Sequence, residues 1–391
     1  MHYMYSFYNS FFLSLVFLIL FFDGFNNSIP YQYLFLPFLI FFFRTRFNLR
    51  AILPILFIIF YILLSSYFSP TFEFNSFQSS WLIQFVVYVF SSFIIFHFFK
   101  VNISTVPSFV FLLQATFFSL VFLQLASGFY VFNFDLLESF INFDFVTANS
   151  FSAVSFKSFG IYKWFPIWAF ILFLLIYPPK SNFFLIFSIV SLFLLAARSP
   201  IFSLLVTYSL FIISRFRSFQ MRFVFVSTLL FLFFYLLFTY YYSIDAFIQS
   251  SGRQFLSLFL STDFDLLFGY GLGSYSYVAN HDLISIPLNP LISSMPPGFH
   301  NGILYHAPES DISRIFVELG YFGLLCYFSY FIFILVRSVI LNPALFNPPL
   351  IFLLSSMVFD DISNYKSFWI FLSFAFLYPY LTHKKHAFHQ R

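Results

Sequence analysis

The sequence predicts an all-α fold, a polytopic transmembrane helical bundle, and three observations lead to this prediction. Of the 391 residues, 61% are apolar and only 8% are charged, whereas soluble domains carry about 25% charged residues. Apolar stretches that approach the length of a bilayer crossing recur along the chain, and basic and acidic residues separate between successive connections. These properties exclude a soluble enzyme. A net charge of only +4 also argues against a nucleic-acid partner.

About twelve membrane spans follow from the need for roughly 20 apolar residues per crossing, with shorter helices tolerated at a modest cost. Several of the segments are short, so pairs of neighbouring spans are the places where a miscount would arise. Together the spans make residues 1–391 a single integral membrane domain. They lie near residues 5–22, 30–43, 51–68, 81–99, 108–127, 164–178, 183–197, 201–213, 223–241, 312–336, 347–359 and 368–381.

The charges between the spans predict which connections face the cytoplasm. With a cytoplasmic N-terminus, the outer side, including the outer end of span ten, holds all 14 acidic residues, and the inner connections hold twelve of the 18 basic residues. Lys and Arg near span ends favour the cytoplasmic side, so we expect both termini there, with 382–391 as a cytoplasmic tail. An external loop then covers 128–163, and a large external loop covers 242–311 between spans nine and ten. The inner basic residues are Arg44, Arg46, Arg50, Lys100, Lys180, Arg215, Arg217, Arg222, Arg337, Lys384, Lys385 and Arg391.

A glycine-rich segment lies within the large external loop. It reads Phe268-Gly269-Tyr270-Gly271-Leu272-Gly273 and is not framed by the strand and helix of a nucleotide-binding fold. Glycine adopts positive φ without steric cost. We therefore predict a turn that needs positive φ in this segment.

Three arginines lie on predicted outer segments, against the general bias. Arg198 lies between two short spans, Arg253 lies early in the large external loop, and Arg314 lies in the first turn of span ten. A cation near lipid is expensive unless it is paired or used. Each arginine could pair with an outer carboxylate, and Glu318 shares a helix face with Arg314. Alternatively, guanidinium groups bind phosphate without a metal, which indicates an anionic, lipid-anchored substrate.

Proton-accepting side chains precede span ten. His306, Glu309 and Asp311 are near the end of the large external loop, and a carboxylate or imidazole there could act as general base toward a sugar hydroxyl. The alternatives are a solvated histidine, and helix capping or dipole complementarity for the two acids. The single cysteine, Cys326, lies in an apolar run and cannot form an intramolecular disulfide. We expect no metal site and no cofactor.

The order and spacing of these pieces resemble the O-antigen polymerase (Wzy) and O-antigen ligase superfamily of bacterial envelope polysaccharide glycosyltransferases. The similar region covers roughly residues 180–340, and no single piece is specific on its own. The pieces are Arg198-Ser199, Ser251-Gly252-Arg253, Leu267-Phe268-Gly269-Tyr270-Gly271-Leu272-Gly273, Glu309-Ser310-Asp311, Arg314 and Glu318-Leu319-Gly320-Tyr321-Phe322-Gly323.

The resemblance implies a metal-independent transfer between two polyprenyl-diphosphate-linked glycans at the outer face of the bacterial inner membrane. The implied partners are the glycan donor and acceptor, membrane lipids, and flippase and chain-length regulator proteins. In that superfamily, outer-face arginines hold the diphosphates and a large outer loop closes over the site. Residue by residue, the resemblance implies diphosphate binding for Arg198 and Arg253. The mechanism that we expect adds Arg314 to the diphosphate site, Glu309 or His306 as the catalytic base, and Asp311 and Glu318 as supporting residues.

One departure from the ligase branch favours the polymerase branch. That branch carries a His-Asn pair just ahead of its Glu-x-Gly helix, where this chain has Glu309-Ser310, and His300-Asn301 lies too early. The resemblance therefore implies polymerisation of lipid-linked repeat units into O-antigen or a related surface polysaccharide. A ligase that transfers the glycan to lipid A core and a non-enzymatic flippase or exporter are the alternatives.

Overall fold

The described part of the chain is helical. A computed structural model describes residues 10–17, 20, 60–61, 64, 76–128, 165–177, 182–194, 198–243, 267–269, 311–359 and 366–389. Every regular element in these residues is a helix, and none of them lies in a strand. The all-α fold class is therefore confirmed for this part of the chain.

Helices cover each of the nine predicted spans from residue 81 onward. The first three predicted spans lie mostly outside the described residues, although residues 10–17 are helical. Of the described helices, Glu318–Leu341 is the one long and apolar enough to cross a bilayer, and shorter apolar helices accompany it. In chain order the helices are α1 (Ser76–Val101), α2 (Val106–Gly128), α3 (Phe165–Ile176), α4 (Asn182–Leu194), α5 (Arg198–Ser214), α6 (Phe219–Ser243), α7 (Asp311–Leu335), α8 (Pro348–Phe359) and α9 (Lys366–His389).

Hydroxyl side chains inside these apolar helices bond to their own backbone. Ser91 donates to the carbonyl of Val87, four residues earlier, at 2.7 Å. Ser203 accepts in the same way from the Thr207 hydroxyl through its backbone carbonyl, also at 2.7 Å. This bonding satisfies a buried hydroxyl without a partner from another helix. Serine and threonine can therefore occupy buried positions in the middle of an apolar helix.

Phenylalanine rings form the core between four helices. Phe99 of α1 lies 5.3 Å from Phe109 of α2 and 4.9 Å from Phe374 of α9, measured between ring centroids. Phe173 of α3 lies 5.7 Å from Phe374. Tilted and edge-on ring pairs at such distances stabilise packing beyond the burial of their area. The high aromatic content of the sequence thus supplies the contacts between helices.

Contacts between neighbouring helices fix their relative directions. α1 and α9 run parallel, because Phe85 contacts Trp369 near both helix starts and Lys100 lies over the Tyr380 ring further along both. α2 and α3 run antiparallel, because Gln114 of α2 donates to the carbonyl of Tyr177, just after α3, whereas Phe118, further along α2, contacts Phe170 in the middle of α3.

Two further contacts each join the end of one helical segment to the start of another. Phe211 at the end of α5 lies 5.7 Å from Phe346, just before α8. Arg222 at the start of α6 donates to the carbonyl oxygen of Ile340, which follows α7, at 2.7 Å. The end of α5, the start of α6 and the end of the α7 segment therefore lie at one end of the fold.

The α7 segment differs from the continuous span predicted over 312–336. Gly320 has a non-helical backbone, with φ 66° and ψ −165°, and interrupts the helix. Beyond Leu335 the helix continues as a six-residue π-helix, Val336–Leu341, followed by a 3₁₀ turn at Pro343–Leu345. The last helix also extends past residue 381 into the predicted tail, because α9 continues to His389.

Candidate functional site

The structure describes the sequence-predicted site residues in part. Asp311, Arg314 and Glu318 lie on α7, and Arg198 is the first residue of α5. The candidate catalytic residues, Glu309 and His306, and the candidate diphosphate-binding residue Arg253 lie outside the described residues. The geometry of the site is therefore that of the α7 segment and of what packs against it.

Three charged side chains form a buried cluster in the first half of α7. A guanidinium nitrogen of Arg314 lies 2.7 Å from the Asp311 carboxylate, and another lies 3.7 Å from the Glu318 carboxylate. Asp311 is 0% exposed, Arg314 9% and Glu318 2%. Residues three and four apart share a helix face, which brings all three together. We call Asp311, Arg314 and Glu318 the outer ion cluster, after the side of the membrane that the sequence predicts for the start of span ten.

Arg314 forms ion pairs with nearby carboxylates, which is one of the two roles that the sequence left open for it. The predicted pair with Glu318 is present, but the shorter contact goes to Asp311, for which the sequence indicated helix capping or dipole complementarity. Asp311 also lies in the first turn of α7, where a negative charge is favourable to the helix dipole. Buried charges require such pairing, since removal of one partner leaves an uncompensated charge.

Two glycines meet at the break in α7. Gly269 has φ 75°, as the glycine-rich sequence predicts, and Gly320 has φ 66°. A Cβ atom on Gly269 would lie 2.6 Å from the Glu318 carbonyl group, and one on Gly320 would lie 2.5 Å from the Leu267 carbonyl oxygen. Both positions therefore require glycine, for backbone conformation and for space. We call this contact the glycine junction.

Backbone groups released by the break find new partners at the glycine junction. The Phe322 N–H, which a continuous helix would direct to Glu318, donates instead to the Leu267 carbonyl at 3.3 Å. The Tyr61 hydroxyl donates to the Leu319 carbonyl at 2.7 Å. The rings of Phe268 and Phe322 stack with centroids 5.7 Å apart. Buried backbone groups need such partners, so residues 267–269 complete the structure of α7 beside the outer ion cluster.

The role of Tyr61 and the contact between the two glycine segments do not follow from the sequence. Both glycine segments stand out in the sequence, but their contact depends on the fold and not on a local pattern. The available signal was the pair Gly320 and Gly323 in an otherwise strong helical pattern, since glycine weakens a helix interior.

The starts of α5 and α7 lie at the same end of the fold. The end of α5 and the extension of α7 both reach the end where Arg222 contacts Ile340. A 17-residue helix such as α5 is about 25 Å long, so Arg198 begins its helix at the far end. Tyr327 contacts Met357 near the end of α8, so the part of α7 after Gly320 also begins at the far end, and Arg314 precedes it along the chain.

No family model matches the chain, and neither a curated protein nor a solved structure matches it. The resemblance to the O-antigen polymerase and ligase superfamily therefore stays a prediction from the motifs.

Proposed function

We propose that this chain is a multi-pass protein of the bacterial inner membrane, with both termini in the cytoplasm. In this proposal it joins polyprenyl-diphosphate-linked oligosaccharide repeat units into a surface polysaccharide at the outer face. The observation that carries the proposal is the glycine junction. It brings together two motif pieces, Leu267-Phe268-Gly269 and Glu318-Leu319-Gly320, that are about fifty residues apart in the sequence.

The helix directions support the proposed membrane arrangement of about twelve spans. Predicted spans whose numbers differ by an odd number run antiparallel, as α2 and α3 (spans five and six) do. Spans whose numbers differ by an even number run parallel, as α1 and α9 (spans four and twelve) do. In this arrangement the starts of α5 and α7 face the outside, and the contact between Arg222 and Ile340 faces the cytoplasm.

Each charged group has a proposed role. Arg198 and Arg253 bind the diphosphate groups of the two lipid-linked substrates, since a guanidinium grips phosphate without a metal ion. Arg314 is already paired with Asp311. A diphosphate that contacts Arg314 would therefore also meet the two carboxylates of the outer ion cluster. In this proposal Asp311 and Glu318 fix the position of Arg314 at the membrane surface.

The proposed reaction is a glycosyl transfer. A sugar hydroxyl of one repeat unit attacks the anomeric carbon of the second chain, a C–O bond forms, and the bond from that carbon to the diphosphate breaks. Glu309 or His306 takes the hydroxyl proton, and the arginines stabilise the negative charge on the departing lipid diphosphate. Holding both lipid substrates at one surface supplies the proximity that the reaction needs.

Deletion of the gene tests the proposal against its alternatives. Loss of a polymerase leaves lipid A core that carries a single repeat unit, which is the expected result on a polysaccharide gel. Undecorated core would indicate a flippase, and long chains that accumulate on the polyprenyl carrier would indicate a ligase. Either of these outcomes, or an unchanged polysaccharide, contradicts the proposed polymerase.

Point variants in the complemented deletion strain test the site. Gly320→Ala places a Cβ against the Leu267 carbonyl and forces a left-handed backbone that costs about 1–2 kcal/mol, so we expect shortened or absent polymer. Gly128→Ala, at the end of α2, is the matched control and should support wild-type chain lengths. Arg253→Ala should abolish polymerisation at normal membrane levels of the protein. Wild-type chain lengths in both Gly320→Ala and Arg253→Ala would remove the assigned site.

A further inference from the structure

Four arginines gather at the end of the fold opposite the outer ion cluster. Arg215 and Arg217 lie in the turn between α5 and α6, Arg222 lies in the first turns of α6, and Arg337 lies in the π-helix. Arg222 joins the two regions, because one of its guanidinium nitrogens donates to the Ile340 carbonyl at 2.7 Å across 118 residues of sequence. We call these four residues the inner arginine cluster.

The described part of the chain supplies no carboxylate to the inner arginine cluster. The acidic residues of the described part are Asp311 and Glu318, and both contact Arg314. The Arg215 guanidinium lies 4.8 Å from the centre of the Phe211 ring. Arg217 and Arg337 are exposed. The Arg222 Nε is buried and makes no hydrogen bond within the described residues. Four positive charges thus share one region with aromatic and carbonyl partners, which do not neutralise them.

Large apolar side chains surround this charge and are exposed. Phe219 and Phe223 at the start of α6 are 50% and 52% exposed, and Leu341 at the end of the π-helix is 62% exposed. Exposed apolar groups beside guanidinium groups fit a surface that meets lipid headgroups with its charges and acyl chains with its apolar side chains. Basic pockets between helices on the cytoplasmic side of a membrane bind anionic lipid headgroups.

We propose that the inner arginine cluster binds the headgroup phosphate of an anionic phospholipid of the inner leaflet. The exposed Phe219, Phe223 and Leu341 contact the acyl chains of that lipid. Arg222 links α6 to the π-helix, so the bound lipid bridges the end of α5, the start of α6 and the α7 segment. This site is separate from the proposed polymerase site and does not depend on its chemistry.

The test measures lipid binding by the purified full chain in neutral detergent, by native mass spectrometry and thermal unfolding. The probes are phosphatidylglycerol, phosphatidylcholine and inorganic phosphate. We expect phosphatidylglycerol to bind and to raise the unfolding temperature. Phosphatidylcholine, which has no net charge, and inorganic phosphate, which has no acyl chains, should have little effect at equal concentration. Equal stabilisation by either of these two probes would overturn the lipid assignment.

Arginine variants then locate the binding site. The triple variant Arg215→Gln, Arg217→Gln, Arg337→Gln keeps the structural bond from Arg222 to Ile340. It should bind phosphatidylglycerol about 100-fold more weakly, since each basic residue near an anionic surface contributes about fivefold. The matched control, Lys100→Gln, Lys180→Gln, Lys384→Gln, removes the same charge from other predicted inner positions and should bind within about twofold of the wild-type chain.

Two results would contradict the assignment of this site. The first is wild-type affinity in the arginine variant. The second is an equal loss of affinity in the lysine control, because it would indicate a general charge effect. Unfolding temperatures measured without lipid show that each variant is folded, so a loss of binding is distinguished from a loss of structure.

Discussion

The outer ion cluster and the inner arginine cluster place the same functional group in opposite surroundings. Arg314 is 9% exposed and contacts two carboxylates, at 2.7 and 3.7 Å. Arg217 and Arg337 are exposed and have no carboxylate partner among the described residues. Arg222, between these extremes, donates to a backbone carbonyl.

The difference teaches that the position of an arginine in this chain does not by itself indicate its use. The charge of the Arg314 guanidinium is neutralised within the protein. A buried, paired charge of this kind is needed for the stability of the protein itself, whether or not it binds a ligand. Among the described residues no carboxylate pairs with the inner arginine cluster, so in our proposal a lipid phosphate supplies the counter-charge. A site for an external anion is therefore better supported at the inner cluster than at Arg314 alone.

Thiol labelling tests whether the two regions face opposite sides of a membrane. It has the largest expected effect, because each introduced cysteine should either react with the reagent or not react at all. In a Cys326→Ser background, Ser218→Cys near the inner arginine cluster should react with an impermeant maleimide only after lysis. Ser274→Cys in the predicted large external loop should react on intact spheroplasts. Equal labelling of both positions from outside would break the comparison and the proposed sidedness.

The next largest expected effect is on stability. Arg314→Gln leaves two buried carboxylates without their cation, and we expect a loss of about 3–5 kcal/mol in the free energy of unfolding. Arg337→Gln is the matched control, and as an exposed substitution it should change stability by no more than about 0.5 kcal/mol. Denaturant unfolding of the purified protein in neutral detergent measures both.

A neutral version of the outer ion cluster provides the check on this prediction. Asp311→Asn, Arg314→Gln and Glu318→Gln together remove both the cation and the carboxylates, so most of the lost stability should return. Equal, small effects of Arg314→Gln and Arg337→Gln would show that burial does not separate the two clusters.

The smallest predicted effect distinguishes the two carboxylates. Asp311→Asn weakens the hydrogen-bonded contact at 2.7 Å, and charged hydrogen bonds contribute about 1.5–3 kcal/mol. Glu318→Gln affects a contact at 3.7 Å, beyond hydrogen-bond distance, and should cost less. Double-mutant cycles with Arg314→Gln measure the two coupling energies. A larger coupling to Glu318 would contradict the geometry.

Sequence reasoning predicted the features that depend on local pattern. Apolar length predicted helices in nine segments from residue 81 onward, and a helix lies in each of them, while the crossing of a membrane by these helices stays a prediction. Glycine content predicted the turn at Gly269, and i, i+4 spacing predicted the contact between Arg314 and Glu318. Each of these follows from backbone preference or helix periodicity, which short segments contain.

Features that depend on distant segments could not be predicted. The break at Gly320 lies in a strongly helical pattern, and a glycine there costs only about 1 kcal/mol, so local preference favours a continuous helix. At the break, hydrogen bonds to the Leu267 carbonyl and from the Tyr61 hydroxyl replace bonds within the helix. Similarly, nothing in the sequence near Arg222 indicates that it contacts Ile340.

The glycine junction also bears on how this chain can diversify. It holds Gly269 against Gly320, while Asp311 begins the same helix nine residues before Gly320. Gly269 and Asp311, the described residues on either side of 270–310, are therefore held within one helix half of about 15 Å. Closure entropy rises only slowly with chain length. Insertions between these two anchor points should therefore cost little closure entropy, provided that the proposed catalytic residues His306 and Glu309 are kept.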